Sequence, residues 1–171
     1  MTPDVHIRLT SALHGLRDVI IPAVDPNESL AREQCGLVLA QLEMLLRQLP
    51  WIERYPALCR DDMRATAATL IEAPAGGVVT TEAVGRLSAL LDAPALSDAQ
   101  ADYDRIGFGV EALVRAVAQD GAADYRARVD AEVLRFGRRQ NWRERSWFAG
   151  TGFDPRPEEV PELASLFANE A

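Results

Sequence analysis

The residues best suited to chemistry in this chain of 171 residues lie between Arg126 and Trp147. The segment carries seven arginines and only three acidic residues, although the formal net charge of the chain is −8. Aromatic residues stand among these arginines, and a guanidinium group beside an aromatic ring suits recognition of a carboxylate or phosphate, or stacking on a base. The pattern therefore indicates a possible anionic small-molecule ligand, such as a nucleotide or an acyl-CoA. The candidate binding residues are Arg135, Arg138, Arg139, Trp142 and Arg143.

Two other interpretations of this segment stay open. The chain has 26 acidic residues, so the arginines can instead pair with carboxylates of neighbouring helices, and this is the interpretation that we favour. Tryptophan and arginine are also frequent anchors of protein interfaces. The surroundings of Trp142 and Trp147 are therefore a candidate dimer surface. We do not expect a nucleic-acid partner, because the chain is acidic overall.

No pattern of residues predicts catalysis. The chain contains no lysine, which excludes Schiff-base chemistry on a lysine. Its two histidines, His6 and His14, lack the carboxylate three residues upstream that di-iron bundles use, and neither zinc-binding spacings nor a nucleophile elbow occur. We expect no catalytic residue, no metal site and no cofactor. Cys35 and Cys59 are expected to be reduced core residues.

Gly107 and Gly109 stand out inside a helical pattern. They form a G-x-G sequence, but a third glycine and a preceding strand are missing, so a phosphate-binding loop is not expected. Each glycine costs about 1 kcal/mol relative to alanine inside a helix. The interpretation that we favour is close approach of two helices. The alternatives are space for a ligand or a bend in the helix.

Hydrophobic periodicity and cap signals predict an all-α protein, an antiparallel bundle of about five or six helices in a single domain. Residues 1–148 form the bundle, and residues 149–171 form a Gly/Pro-rich acidic tail with a possible short terminal helix. The helix that follows Gly77 is expected to be capped by Thr80 or Thr81.

The second predicted helix, which ends at Leu49 before Pro50, carries more apolar surface than one stripe needs. Besides its main seam, it has a second row made of Leu30, Leu37 and Met44. Such a helix is expected to be surrounded by other helices on most sides. Glu43 and Arg47 have the spacing of a supportive i,i+4 ion pair.

The acidic tail contains an apolar cluster of Leu163, Leu166 and Phe167. Exposed clusters of this kind are uncommon, so we expect the tail to dock onto the bundle or onto a second subunit. The simplest arrangement places the acidic tail across the Arg-rich helix.

The sequence as a whole favours a non-enzymatic module that binds a partner or an organic ligand, as a homodimer. The alternative is an enzyme or accessory factor that holds an anionic substrate on the Arg/Trp-rich helix. The N-terminal residues do not resemble a signal peptide, and no apolar run approaches the ~20 residues that a bilayer-spanning helix needs. We therefore expect a cytoplasmic protein without a membrane partner.

Overall fold

The structure is a computed structural model that describes residues 4–150 and 154–168. Within these ranges the fold is an all-α bundle, which confirms the predicted fold class. The α-helices are α1 (Val5–His14), α2 (Ile21–Ala23), α3 (Ser29–Gln48), α4 (Arg54–Leu70), α5 (Val78–Asp92), α6 (Ala99–Asp120) and α7 (Ala123–Trp147). A π-helical turn, Gly15–Ile20, connects α1 to α2, and short 3-10 helices occur at Leu49–Trp51, Pro157–Glu159 and Leu163–Phe167.

The internal contacts divide the described chain into two compact units. The first unit contains the residues up to Ile52 together with those from Trp142 onward, and the second unit contains residues 53–141. The predicted division into a bundle of residues 1–148 and a tail of residues 149–171 stays a prediction.

The second unit is held together by one apolar core between α4, α5, α6 and the first part of α7. Fully buried aliphatic residues at its centre include Leu87, Ile106 and Leu113. Tyr125 is 2% exposed, and its hydroxyl donates a hydrogen bond of 2.7 Å to the carbonyl oxygen of Leu70 at the end of α4. Burial of the ring raises the pKa of Tyr125, so this hydroxyl stays protonated as a donor at neutral pH.

Gly109 lies on α6 where the side chains of α5 pack closely against it. A Cβ atom at this position would lie 2.8 Å from Cδ1 of Leu90 and 2.9 Å from Cδ1 of Leu87. A Cβ atom at Gly107 would lie 3.6 Å from Cε of Met63 in α4. Gly109 therefore permits close helix packing, as the favoured interpretation predicts.

The beginning of α5 is stabilised by a residue of another helix. The helix starts at Val78, earlier than predicted, and neither Thr80 nor Thr81 is its N-cap. Instead the carboxylate of Asp120, at the end of α6, accepts hydrogen bonds from the backbone N–H groups of Val79 and Thr80, each at 2.9 Å. The same carboxylate also accepts a hydrogen bond of 2.6 Å from the hydroxyl group of Thr80. The hydrogen bond from the Thr80 hydroxyl contributes most to lowering the pKa of Asp120.

In the first unit the C-terminal segment docks against the end of α3, as the apolar tail cluster predicts. Phe167 is 4% exposed, and its ring stacks on Trp51 with a distance of 4.5 Å between ring centroids. Leu163 is 5% exposed. The side-chain nitrogen of Gln48 donates a hydrogen bond of 2.9 Å to the carbonyl oxygen of Trp147, which attaches α3 to the end of α7.

Candidate functional site

Arg139, one of the five predicted anion-binding residues, already binds a carboxylate. Its guanidinium group donates to both oxygens of Asp62 from Nε, at 3.1 and 3.2 Å, and to the hydroxyl of Thr66 at 3.0 Å. A second carboxylate, that of Glu132, lies 3.7 Å from Nη2. Arg139 therefore ties α7 to α4, in the way that the internal-pairing interpretation predicts.

Of the other predicted site residues, Arg135 and Arg138 lie in the second unit with Arg139, and Trp142 and Arg143 lie in the first unit. Arg135 forms an ion pair with Glu132 on its own helix. Arg138 is exposed and has no ion-pair partner among residues 4–150 and 154–168. Arg143 is half-buried. Trp142 is 40% exposed.

Arg145, which was not among the candidate site residues, connects α7 to the acidic tail. Its Nε and Nη2 atoms bind the two carboxylate oxygens of Asp154 at 2.8 and 3.0 Å. This bidentate contact is the main cause that holds the pKa of Asp154 below its usual range. The guanidinium group also lies 5.1 Å from the centroid of the Trp142 ring. The acidic tail thus meets the Arg-rich helix, as predicted.

The most deeply buried charge in the second unit, Asp102, was missed by sequence reasoning. Its carboxylate has no exposed surface and accepts hydrogen bonds from Nη1 of Arg64 at 3.1 Å and Nη2 of Arg105 at 2.6 Å. The backbone N–H of Leu96 donates a third at 3.1 Å. Burial acts to raise the pKa of Asp102, but these hydrogen bonds outweigh it and lower the pKa. Nη2 of Arg64 also donates a hydrogen bond to the carbonyl oxygen of Leu91, so the cluster connects the middle of α4 to the end of α5 and the beginning of α6.

Within the second unit, a cavity of about 310 Å³ beside α5 and α6 is lined in part by Arg86 and Arg115, which pair with Glu82 and Glu111. A cavity of about 220 Å³ in the second unit is lined in part by Tyr125, Arg128 and Arg135, but Arg128 already donates to the carbonyl oxygens of Glu72 and Ala73 at the end of α4. A cavity of about 400 Å³ in the first unit is lined mainly by the C-terminal segment, with Arg47 at its edge. None of these cavities brings together several cationic groups without partners among the described residues.

In the part of the chain that the structure describes, no group of three or more histidine, cysteine or acidic side chains is placed to hold a metal ion. Across residues 4–150 and 154–168 there is also no helix that is both long and apolar enough to span a membrane. Both cysteines are free thiols, Cys59 buried and Cys35 half-buried.

One face of α3 exposes several large apolar side chains. Leu30 is 68% exposed, Val38 50%, Leu37 48% and Leu45 44%. At 100° per residue these four positions and the intervening exposed glutamines fall within about 100° of the helix circumference. We call this surface the α3 strip; its residues are Leu30, Gln34, Leu37, Val38, Gln41 and Leu45.

Helix α3 exposes more large apolar residues than α6 does. In α6, which is two residues longer and fully described, Phe108 is the one large apolar residue that is exposed. The expectation that α3 is surrounded on most sides is therefore wrong for the described residues.

The predicted Glu43–Arg47 pair is also absent, because Glu43 binds Arg17 instead. Arg47 forms no hydrogen bond or ion pair with any described residue.

Comparisons with protein-family models, with curated proteins and with solved structures find no match to this chain.

Proposed function

We propose that this chain is a non-enzymatic protein-binding module, and that the α3 strip is its binding surface. The observation that carries the proposal is a continuous apolar and amide surface, without an ionisable side chain, on a protein of net charge −8. Extended apolar patches on soluble proteins mark interaction sites. Partner proteins recognise an amphipathic helix through apolar anchors on one of its faces. The apolar residues of the strip have the spacing of such anchors.

The chemistry of α3 favours a protein partner over a lipid surface. Helices that lie on membranes are rich in lysine and arginine on their polar face, which attracts anionic lipids. Helix α3 instead carries two arginines and two glutamates, Arg32, Glu33, Glu43 and Arg47. The strip is also a helix surface rather than a cavity, whereas sites for small molecules are concave.

The alternative function, binding or turnover of an anionic small molecule at the five candidate residues of α7, has weaker support. Two of those arginines, Arg135 and Arg139, already bind the carboxylates of Glu132 and Asp62. An incoming anion would have to compete with these carboxylates.

A cytoplasmic location is part of our proposal, since the free thiols of Cys35 and Cys59 suit a reducing compartment.

Site-specific photo-crosslinking in cells that produce the protein tests this function. A benzophenone amino acid replaces Leu37 in the strip, and a matched control replaces Leu134, which is 63% exposed on α7. We expect illumination to give a discrete protein adduct from position 37 and none from position 134. The same adducts from both positions, or none from position 37, would contradict the proposal.

A further inference from the structure

We infer that the cavity of the first unit binds a small apolar monocarboxylate, and that the guanidinium group of Arg47 pairs with the carboxylate group of this ligand. The cavity has a volume of about 400 Å³, which lies within the range of about 300–1,000 Å³ for small-molecule sites. All of its lining residues belong to the first unit. None of the six residues of the α3 strip lines it, so this site is separate from the proposed protein-binding surface.

The interior of the cavity suits an apolar molecule. Its buried and half-buried lining residues are Trp51, Ser146, Ala149, Val160, Pro161 and Leu163. Ser146 is 1% exposed, and its hydroxyl already donates a hydrogen bond of 3.1 Å to the carbonyl oxygen of Trp142. A polar group would lose its hydration here without gaining a side-chain donor, whereas an apolar group is stabilised by leaving water.

Arg47 brings a guanidinium group to the edge of this cavity. The residue lies in the last turn of α3 and is exposed. As noted above, it has no hydrogen-bond or ion-pair partner among the described residues. A guanidinium group presents a planar fork of donors that matches the two oxygens of a carboxylate. A ligand that extends from this edge into the interior therefore needs one carboxylate group on an apolar body.

Gly150 makes room for the guanidinium group of Arg47. Its φ of +86° lies in the left-handed region that favours glycine. A Cβ atom at Gly150 would lie 2.8 Å from Nη1 and 3.3 Å from Nη2 of Arg47. The guanidinium group thus packs directly against the backbone beside the cavity. This contact restricts the orientation of the group, and a restricted binding group costs less entropy to order when the ligand arrives.

The charges around the cavity favour a ligand with a single negative charge. Glu162 is exposed, also lines the cavity and forms no ion pair with Arg47. The net charge of the chain is −8. A phosphate monoester carries about −1.5 to −2 at neutral pH, so it would keep excess negative charge beside Glu162 after pairing with one arginine. A monocarboxylate is neutralised by Arg47 alone.

Titration calorimetry of the purified chain with octanoate tests the inference, because the flexible chain of octanoate can adapt to the cavity. We expect one molecule to bind per chain, about 5- to 10-fold more tightly than the uncharged 1-octanol, since only the acid pairs with Arg47. Octyl phosphate should bind more weakly than octanoate. The inference would be overturned by an absence of saturable octanoate binding up to about 10 mM, by equal affinity for 1-octanol, or by tighter binding of octyl phosphate.

Substitution of Arg47 tests its assigned role. Arg47→Ala should weaken octanoate binding about 5- to 10-fold, to the level of 1-octanol, and leave the affinity for 1-octanol unchanged. Arg32→Ala is the matched control, because Arg32 is exposed on the same helix and does not line the cavity. It removes the same charge and should leave both affinities unchanged. Equal losses in the two folded variants, as checked by circular dichroism, would overturn the assignment of Arg47.

The fluorescence of Trp51 tests whether the ligand occupies this cavity. In a chain with Trp142→Phe and Trp147→Phe, Trp51 is the one tryptophan left. Octanoate that carries a bromine atom at its far end quenches a tryptophan that it contacts. We expect saturable quenching with the midpoint found by calorimetry on the same chain, and a midpoint about 5- to 10-fold higher when Arg47→Ala is added. Binding detected by calorimetry without quenching of Trp51 would place the ligand elsewhere and overturn the inference.

Discussion

Arg64 reaches across from α4 to place its Nη1 atom 3.1 Å from the carboxylate of Asp102, a side chain with no exposed surface. Arg105, one turn further along α6, binds the other oxygen at 2.6 Å. A buried carboxylate stays charged only where such partners replace its hydration. Asp102 is therefore a structural centre of the second unit.

We expect Asp102→Asn to lower the free energy of unfolding by about 2–4 kcal/mol, because it leaves two guanidinium groups near an uncharged amide. Asp104→Asn is the matched control, since Asp104 is exposed on the same helix. Thermal and urea unfolding, followed by circular dichroism, measure the free energy of unfolding of both variants. Equal stability of the two variants would show that the Asp102 cluster contributes nothing.

The same carboxylate predicts a pH dependence of stability. The pKa of Asp102 in the folded protein lies below its usual value, so the folded state binds this proton less readily than the unfolded state. Its contribution is complete above the unfolded pKa of about 3.9 and decreases as the pH falls toward the folded pKa. Urea unfolding between about pH 6 and pH 3 should show a smaller loss for Asp102→Asn than for the unmodified chain. If the free energy of unfolding falls equally with pH in both proteins, the pH dependence does not come from Asp102.

Local sequence signals identify the helices, but they do not identify long-range partners. Amphipathic periodicity correctly predicts the all-α fold, and Gly109 correctly predicts a close helix approach. The predicted cap of α5 was wrong because the carboxylate of Asp120, about 40 positions further along the chain, accepts the hydrogen bond of the free backbone N–H group at the helix start. The hydroxyl of Thr80 donates to the same carboxylate instead of capping the helix. In the same way, periodicity shows that α3 is apolar on two sides, but it does not show which side the same chain covers.

Docking of the C-terminal segment predicts that Phe167 stabilises the first unit. Phe167→Ala removes a ring that stacks on Trp51 at 4.5 Å, and we expect a cost of about 3 kcal/mol. All three tryptophans lie in the first unit, so tryptophan fluorescence during unfolding reports this unit selectively.

The matched control for this substitution is Phe108→Ala, because Phe108 is 70% exposed in the second unit. It should leave the fluorescence-detected transition unchanged. Truncation after Gly150 should shift that transition at least as much as Phe167→Ala does. An unshifted transition in the truncated chain would show that the docked segment is not part of the stable fold.

Two adjacent arginines of the predicted anion site should differ in their effect on stability. Arg139 binds Asp62 and Thr66 of α4, whereas Arg138 is exposed and forms no ion pair with the described residues. Arg139→Ala should therefore cost about 1–2 kcal/mol, since it removes the guanidinium group that pairs with the largely buried carboxylate of Asp62. Arg138→Ala should change the stability by less than about 0.5 kcal/mol.

The same pair of variants separates internal pairing from ligand binding on α7. Internal pairing predicts that Asp62→Asn destabilises the chain, and that the double variant is less destabilised than the sum of the two single variants, because both break the Arg139–Asp62 ion pair. Titration calorimetry with a nucleotide or an acyl-CoA should show no binding to the unmodified chain. Binding that is lost in Arg138→Ala, in a variant of unchanged stability, would instead support the anionic-ligand function, because Arg138 is exposed and forms no ion pair with the described residues.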